Sequence, residues 1–590
     1  MNGITGTVSN GSCALSQLSS TPRLEDLSIA WDGRIDNRQE LLTQLNLPAG
    51  TPDPVLLLHG YRKAGPAFIE QILGDFAFLL WDSSLGRLMA GRDRIGVKPL
   101  YYFQHAEFFA AASEIKALLT LPQISREADD ETVLSFLAYR NFSSEDFSRT
   151  FFKDIRRVAP GHYLLIENGR ISDHCYWQID PSKVNHALTY EEAVQTFASL
   201  LRKSVQARMR DTQNSALYLS GGLDSSAIAG LMHECMQSGK ATPSVHAINM
   251  YSHDPASDER SFAREVIKQT GFRYTELFSA SKDPLSKLPE TIRFAEAPLV
   301  GISGNSEPLE FMRDQGIRTL ITGDGGDHLL DEDAFPADLV RQFRFRDFAR
   351  LVRSYADSAG MRLGDWLVEN LRLMTPVFLK NLKRKLLGNC PPSWLNKQNP
   401  AFPKTLNKVL HPEKHPFHSY SQSYSYENLI SPYFVSKLEA EAHIYAQYGI
   451  ELRYPMLDSR LVEWVLALPW HLRVASVRKQ ILRDAMKSVL PQPVRERKAK
   501  SGFTREMDEM LASLIPSEKP MSVIDRSGLM ERFINKPQAE KMIRRYQQGN
   551  QNLRWEVWFL ITVDTWLQTF IQGEIKDAQT QVLQTLVHSS

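Results

Sequence analysis

The stretch YLSGGLDSSAIAG (218–230) gathers residue types that handle phosphate. A short apolar run, SALYLS, leads into Ser220-Gly221-Gly222, and an apolar periodic run follows at once. That pattern places the loop between a strand and a helix. Glycines let a chain turn tightly and approach an anion, and successive backbone N–H groups at a helix start form a nest for phosphate. Ser220, Ser225 and Ser226 add hydroxyl donors. The loop has no lysine and lacks Gly-x4-Gly-Lys spacing, which excludes a Walker loop. Asp224 puts negative charge among phosphates, which makes sense with Mg²⁺ between them. A second apolar run ends in a glycine-rich turn at LITGDGGDHLL (320–330). Its Asp324 and Asp327 sit among glycines, a composition that also makes turns on its own. Acids from two strand ends facing one crevice is an arrangement that an open α/β sheet favours.

The elements that must hold these loops are legible around them. From residue 190 onward, strand-like and helix-like runs alternate. Thr189 opens an amphipathic run with Glu192 at capping-box spacing. SSAIAGLMHECMQSG reads as a helix closed by Gly239, SVHAINM as a strand, DERSFAREVIKQTG as a helix and RTLITG as a strand. Strands separated by helices of this length predict a parallel sheet covered on both faces. Residues 335–440 read as helical and irregular, with a basic run KNLKRK (380–385) and a rigid PPSWL (391–395). Residues 1–180 are instead β-rich, with short alternating runs and a hairpin signal at Asn168-Gly169. Periodicity fails over QIDPSKVNHALTY (178–190), which places a boundary between domains 1–180 and 190–590.

Bulk properties narrow the function classes. A chain of 590 residues is too long for one ordinary core. A formal net charge of +1 gives no global drive toward nucleic acid or an anionic membrane. Cys13, Cys175, Cys235 and Cys390 form no Cys-x-x-Cys pair, which argues against structural zinc or a disulfide framework and fits a reducing cytoplasm. The first 20 residues lack the cationic start and apolar core of a signal peptide. WEVWFLITVDTWLQTF is broken by Glu556 and Asp564 and reads as a buried helix, not a membrane span.

SGGLDSS after a strand resembles the pyrophosphate-binding loop of the ATP pyrophosphatases, which cleave ATP between the α- and β-phosphates to adenylate a substrate. GDGGD resembles the second acidic motif of the asparagine synthetase family, with Asp327 matching the second Mg²⁺-binding acid beside Asp224. GIELRYPMLDSRLVEWVLALP (449–469) resembles that family's signature segment, and RKQILRDAMKSVLPQPVRERKAKSGF (478–503) the segment ending in its essential lysine. Counting back from Phe503 gives Lys500, with Lys498 two residues before it and a plain surface basic run as the other reading. A lysine there would stabilise charge as an acyl-adenylate forms and collapses. The resemblance implies ATP and Mg²⁺ as cofactors. It implies nucleotide contacts at Leu219, Ser220, Gly221, Gly222, Asp224, Ser225, Ser226, Met250 and Gly323, and metal contacts at Asp224 and Asp327.

AWDGRIDNRQEL, LGDFAFLLWD, GRDRIGVKPLYY and ASEIKALL resemble the same family's glutaminase domain. The implied fold class is two-domain α/β. A degenerate N-terminal-nucleophile αββα sandwich precedes a doubly wound parallel-sheet synthetase domain with helical additions. Two departures stand out: Asn2 occupies the place of the nucleophilic cysteine, and Asp32-Gly33-Arg34 replaces Asn-Gly-Glu. Without a thiol there is no thioester and no glutamine-derived ammonia.

Three amide-forming outcomes then compete: an asparagine synthetase, a β-lactam synthetase-like enzyme and a lasso-peptide cyclase. Asp324 stands where the first carries Glu and the second Tyr. The Gly325–Leu329 ending, the basic helical region and PPSWL resemble the cyclases most. That resemblance implies a leader-cleaved precursor peptide as substrate, a maturation protease or leader-binding protein as partner, and residues 335–440 shaping the substrate. The attacking amine must first lose a proton, so a carboxylate is wanted nearby. Asp324, Glu439 and Glu441 are the candidates, each also readable as part of a solvated face. A non-catalytic scaffold is the contrasting class, and the intact acid-plus-glycine loops argue against it.

Overall fold

The computed structural model describes residues 3–9, 12–17, 21–106, 108–139, 146–185, 187–239, 244–252, 255, 257–278, 287–301, 306–359, 362–375, 392–410, 417, 419–474, 477–497 and 504–573. Asn2, Lys498, Lys500 and the KNLKRK run lie outside these residues.

The first half is built from two stacked antiparallel sheets, one of five strands and one of six. Strand alternation sends successive side chains to opposite faces. In strand Gly74–Asp82, Ala77 and Leu79 therefore meet Ile4, Phe109 and Ala111 of the other sheet, while Phe76 and Phe78 turn outward. The outward face is covered by helices Arg38–Leu45 and Asp53–Ala64 through Leu41, Leu42, Leu56 and Leu57. The opposite outer face, carrying Tyr101, Phe103 and Ala110, does not close on a helix layer of its own alone. It joins one continuous apolar core with the second half, where Phe136 packs against Phe559 at 4.6 Å between ring centroids.

The second half centres on a five-stranded, fully parallel sheet. Its order is Arg273–Phe278, Ser244–Tyr251, Asn214–Tyr218, Thr319–Ile321, Glu451–Arg453. From the central strand Asn214–Tyr218 the chain first winds outward one way, then returns to build the other side beginning at Thr319–Ile321. The strand order therefore reverses between these two neighbours, and the loops leaving their carboxyl ends diverge to leave a crevice. Thr189 and Glu192 form the predicted capping box of helix Tyr190–Arg208. The late apolar stretch is the buried helix Arg554–Trp566, and among the described residues no helix is long and apolar enough to cross a membrane.

Charges are buried where the halves meet. Arg208, 1% exposed, donates to Asp458 at 3.1 Å and lies 3.3 Å from Asp36 and 3.6 Å from Asp75 of the first half. Arg34 bonds Asp36 and Asp75 at 2.6 and 2.8 Å, and Lys98 bonds Asp32 at 3.0 Å. Glu451 faces Arg34, Lys98 and Arg453. Burial alone would raise the carboxyl pKa of Glu451, but Lys98, Arg453 and Arg34 outweigh it and hold it at about 2. Asp458 is likewise held at about 2 against burial by Arg460 and Arg208.

Replacing Arg208 by Met removes a buried cation shared by three carboxylates, leaving Asp36 and Asp75 to Arg34 and Asp458 to Arg460, so urea unfolding should show a loss of about 3 kcal/mol. Both depressed carboxyls stabilise the fold above their unfolded pKa near 4, and that contribution is lost as pH falls toward 2. Thermal melts across that window should show the midpoint falling steeply, and a flat midpoint would contradict the assignment.

Candidate functional site

Both glycine-rich loops open at the reversal point of the parallel sheet. After Tyr218 the chain passes through Leu219 to Gly222, which sits at the N-terminus of helix Leu223–Gln237 with no side-chain cap on its first turn. The first-turn N–H groups are therefore available to an anion. Gly221 has φ +85°, and a Cβ there would lie 2.7 Å from the Ala263 nitrogen and 2.8 Å from the Glu259 carbonyl oxygen. Ser220 Oγ accepts from the Gly222 N–H at 3.2 Å and lies 3.1 Å from Ser225 Oγ. The second loop presses on this helix start so closely that a Cβ on Gly323 would lie 2.9 Å from the Ser225 nitrogen. A Cβ on Gly326 would lie 2.5 Å from Asp224 Cγ. Glycine is what lets the second loop bring Asp327 up beside Asp224.

These two acids share one cation. Lys479, 5% exposed, reaches Asp224 Oδ2 at 2.5 Å and Asp327 Oδ1 at 2.6 Å. Its backbone is left-handed, with φ +56°, at the start of helix Gln480–Ala485, and this strained turn aims the side chain back into the crevice. Arg478 bonds Asp331 with Nε at 2.7 Å and lies 3.8 Å from Asp327. Arg497 pairs with Glu259 and donates to the Gly221 carbonyl at 3.4 Å. Arg483, whose pKa burial and Arg478 push down, donates to the Arg497 carbonyl at 2.7 Å. Together these cations and the helix start line a cavity of about 280 Å³. This part of the lining suits a polyanion.

The same cavity also has an acidic and phenolic lining. Asp324, Glu441, Tyr218 and Tyr445 line it. Glu441 takes the Tyr454 hydroxyl at 2.9 Å and the Lys437 ammonium at 2.7 Å, and Lys437 also reaches Asp324 at 3.1 Å. Burial raises the Glu441 pKa, Lys437 opposes that, and Asp324 adds to it. Tyr445 donates to the Tyr218 oxygen at 3.3 Å.

Of the residues singled out from sequence, Ser220, Gly222, Asp224, Ser225, Gly323, Asp324, Asp327 and Glu441 all face this one cavity. Leu219, Gly221, Ser226 and Met250 lie around it and do not line it. Leu219 is buried, with its N–H on the Ile248 carbonyl at 2.9 Å, and Ser226 is fully buried. Met250 is half-buried on strand Ser244–Tyr251. Glu439 is removed from the candidate bases. It lies two residues before Glu441 on helix Pro432–Gln447, a step of about 200° around the axis. Its carboxylate is buried against Arg92 at 2.9 Å and Arg157 at 3.2 Å of the first half. Lys479 and Lys437 were not singled out from sequence.

Two carboxylates beside a phosphate nest suit Mg²⁺, which keeps several waters and needs only one or two protein carboxylates plus substrate phosphates. That both acids converge on one ammonium shows that they present a common anionic point. Among the described residues no cluster of three or more His, Cys, Asp or Glu forms a closed metal site.

Replacing Asp224 by Ala should abolish carboxylate-dependent pyrophosphate release from ATP, and full retained activity would sink the assignment. Lys479→Met should lower the initial rate of pyrophosphate release by about 10²–10³-fold, the scale of losing one preorganised electrostatic donor.

Comparison with known proteins fits this geometry. The family described as Asparagine synthase matches residues 196–568, and the Glutamine amidotransferase domain matches residues 16–177. "Amidase chyE" of Penicillium rubens is 28% identical over 499 residues, covering 76% of this chain and 72% of the relative. "Asparagine synthetase [glutamine-hydrolyzing] 3" of Bacillus subtilis is 26% identical over 502 residues, covering 80% and 74%. The sheet whose switch point holds the two acids lies within the matched segment. The chain belongs to the asparagine synthase family, as an ATP-dependent, AMP-forming carbon–nitrogen ligase carrying a glutamine amidotransferase-type domain.

Proposed function

We propose that this ligase is a lasso-peptide cyclase: it adenylates an Asp or Glu side chain of a leader-cleaved peptide and closes a macrolactam with that peptide's N-terminal amine. The observation that carries the reading is one cavity lined both by the glycine-loop helix start with its cations and by an acid wall, Asp324 and Glu441. A carboxylate placed between them can attack the α-phosphorus. The O–P bond forms, the bond to the β-phosphate oxygen breaks, and pyrophosphate leaves into the nest with Lys479 and Arg478 beside it. Bound at Asp224 and Asp327, Mg²⁺ would neutralise charge on the phosphates. The ammonium then passes one proton to a wall carboxylate, its nitrogen attacks the acyl carbon, the C–O bond to AMP breaks with its electron pair on AMP, and the second N–H proton leaves to the other wall carboxylate.

An amine brought by the substrate fits the first half. Asn2 offers no thiol. Arg34, where related glutaminases carry Glu, is 3% exposed and committed to Asp36 and Asp75, so it presents no anion to a free amino acid. Joining amine and carboxyl of one chain also removes much of the bimolecular entropy cost.

ATP–pyrophosphate exchange separates the outcomes. Exchange with a leader-cleaved precursor peptide, and a ring product one water lighter, is the expected result. Exchange with free aspartate and asparagine formation from ammonia would replace the cyclase by a synthetase. Exchange with neither would leave a scaffold.

A further inference from the structure

Lys437 has no counterpart among the residues that the phosphate chemistry calls for, yet it sits at the acid wall. It lies one turn before Glu441 on helix Pro432–Gln447, so both project from the same face. Its ammonium bridges two carboxylates from different elements: Glu441 Oε1 at 2.7 Å and Asp324 Oδ2, on the loop after Thr319–Ile321, at 3.1 Å. The second Glu441 oxygen takes the Tyr454 hydroxyl at 2.9 Å, from the chain just past strand Glu451–Arg453. Tyr445, one turn on along the helix and bonded to Tyr218 on the central sheet strand, completes the groups facing this carboxylate. Glu441 is thus pinned at both oxygens, from two directions, with its cavity-facing edge left to a ligand.

We propose that Lys437 is a positioning residue for amine deprotonation: it clamps Glu441 as an oriented carboxylate and ties it to Asp324, so that together they receive a primary ammonium group. This rests on the amide-forming reading above. In the step, R–NH₃⁺ gives one proton to the Glu441 carboxylate, which becomes the neutral acid. The freed lone pair forms the C–N bond with the acyl-adenylate, the C–O bond to AMP breaks with its electron pair going to AMP, and the second N–H proton, made acidic once nitrogen bonds carbon, passes to the Asp324 carboxylate. Burial and Asp324 favour the protonated Glu441, and the Lys437 charge opposes both. Without the lysine, the base is ionised only at higher pH.

Two amine probes isolate the clamp. Hydroxylamine is neutral at pH 7 and needs no base before attack, whereas methylammonium is cationic and does. The precursor peptide with its N-terminus acetylated supplies the carboxylate, and hydroxamate and N-methylamide are counted by mass spectrometry. Lys437→Met should lower the ratio of N-methylamide to hydroxamate by about tenfold or more near neutral pH. The acidic limb of the methylamide profile should move to higher pH, and Lys437→Arg should restore both. Equal losses of the two products with an unmoved limb, or no rescue by Arg, would overturn the role of Lys437. Pyrophosphate exchange by the unsubstituted protein with this peptide tests the ligase reading separately, because exchange precedes any amine.

Discussion

The ammonium of Lys479 between Asp224 and Asp327 is the contact on which the site depends. Three separate segments must arrive within hydrogen-bond reach for it to exist. The parallel sheet supplies two of them, because neighbouring strands that wind in opposite directions leave their loops facing each other across the reversal point. Glycine supplies the closeness, since a side chain at 326 would collide with the Asp224 carboxylate. The third segment contributes its lysine from a left-handed turn. Two like charges held this near repel unless a cation sits between them. The arrangement therefore favours either the lysine or a divalent ion with a phosphate, and it moves charge toward whatever nucleotide enters.

The first half stabilises this site without sharing its chemistry. Arg34 and Lys98 reach across to Glu451 on the edge strand of the parallel sheet, and Arg92 and Arg157 hold Glu439 on the helix that carries Glu441. Such buried ions are expensive to leave unpaired, so the halves specify each other's orientation more than they add net stability. A domain with the outline of a glutaminase has become the abutment for the acid wall.

Much of this was legible in the sequence where local chemistry is self-contained. A strand running into SGGLDSS, the capping box at Thr189 and the Asn-Gly hairpin at 168 each state their geometry within a few residues. The alternation of strand and helix was enough to predict the parallel sheet. What the sequence hid was which charged residues turn inward. Lys479 stands in a run of cations, and its direction is decided by a left-handed backbone no pattern announces. Glu439 and Glu441 look interchangeable in KLEAEAHIY, yet two residues of helix separate a cavity wall from a domain interface. The importance of Lys437 appears only once Asp324, distant in sequence, is folded against it.

The central claim is that a carboxylate oxygen becomes bonded to the α-phosphorus of ATP in this cavity. Transfer of label tests it most directly. Peptide labelled with ¹⁸O in its Asp or Glu side-chain carboxylate should yield AMP carrying one labelled oxygen, with unlabelled pyrophosphate released alongside. Unlabelled AMP, or ADP with label in orthophosphate, would contradict the account.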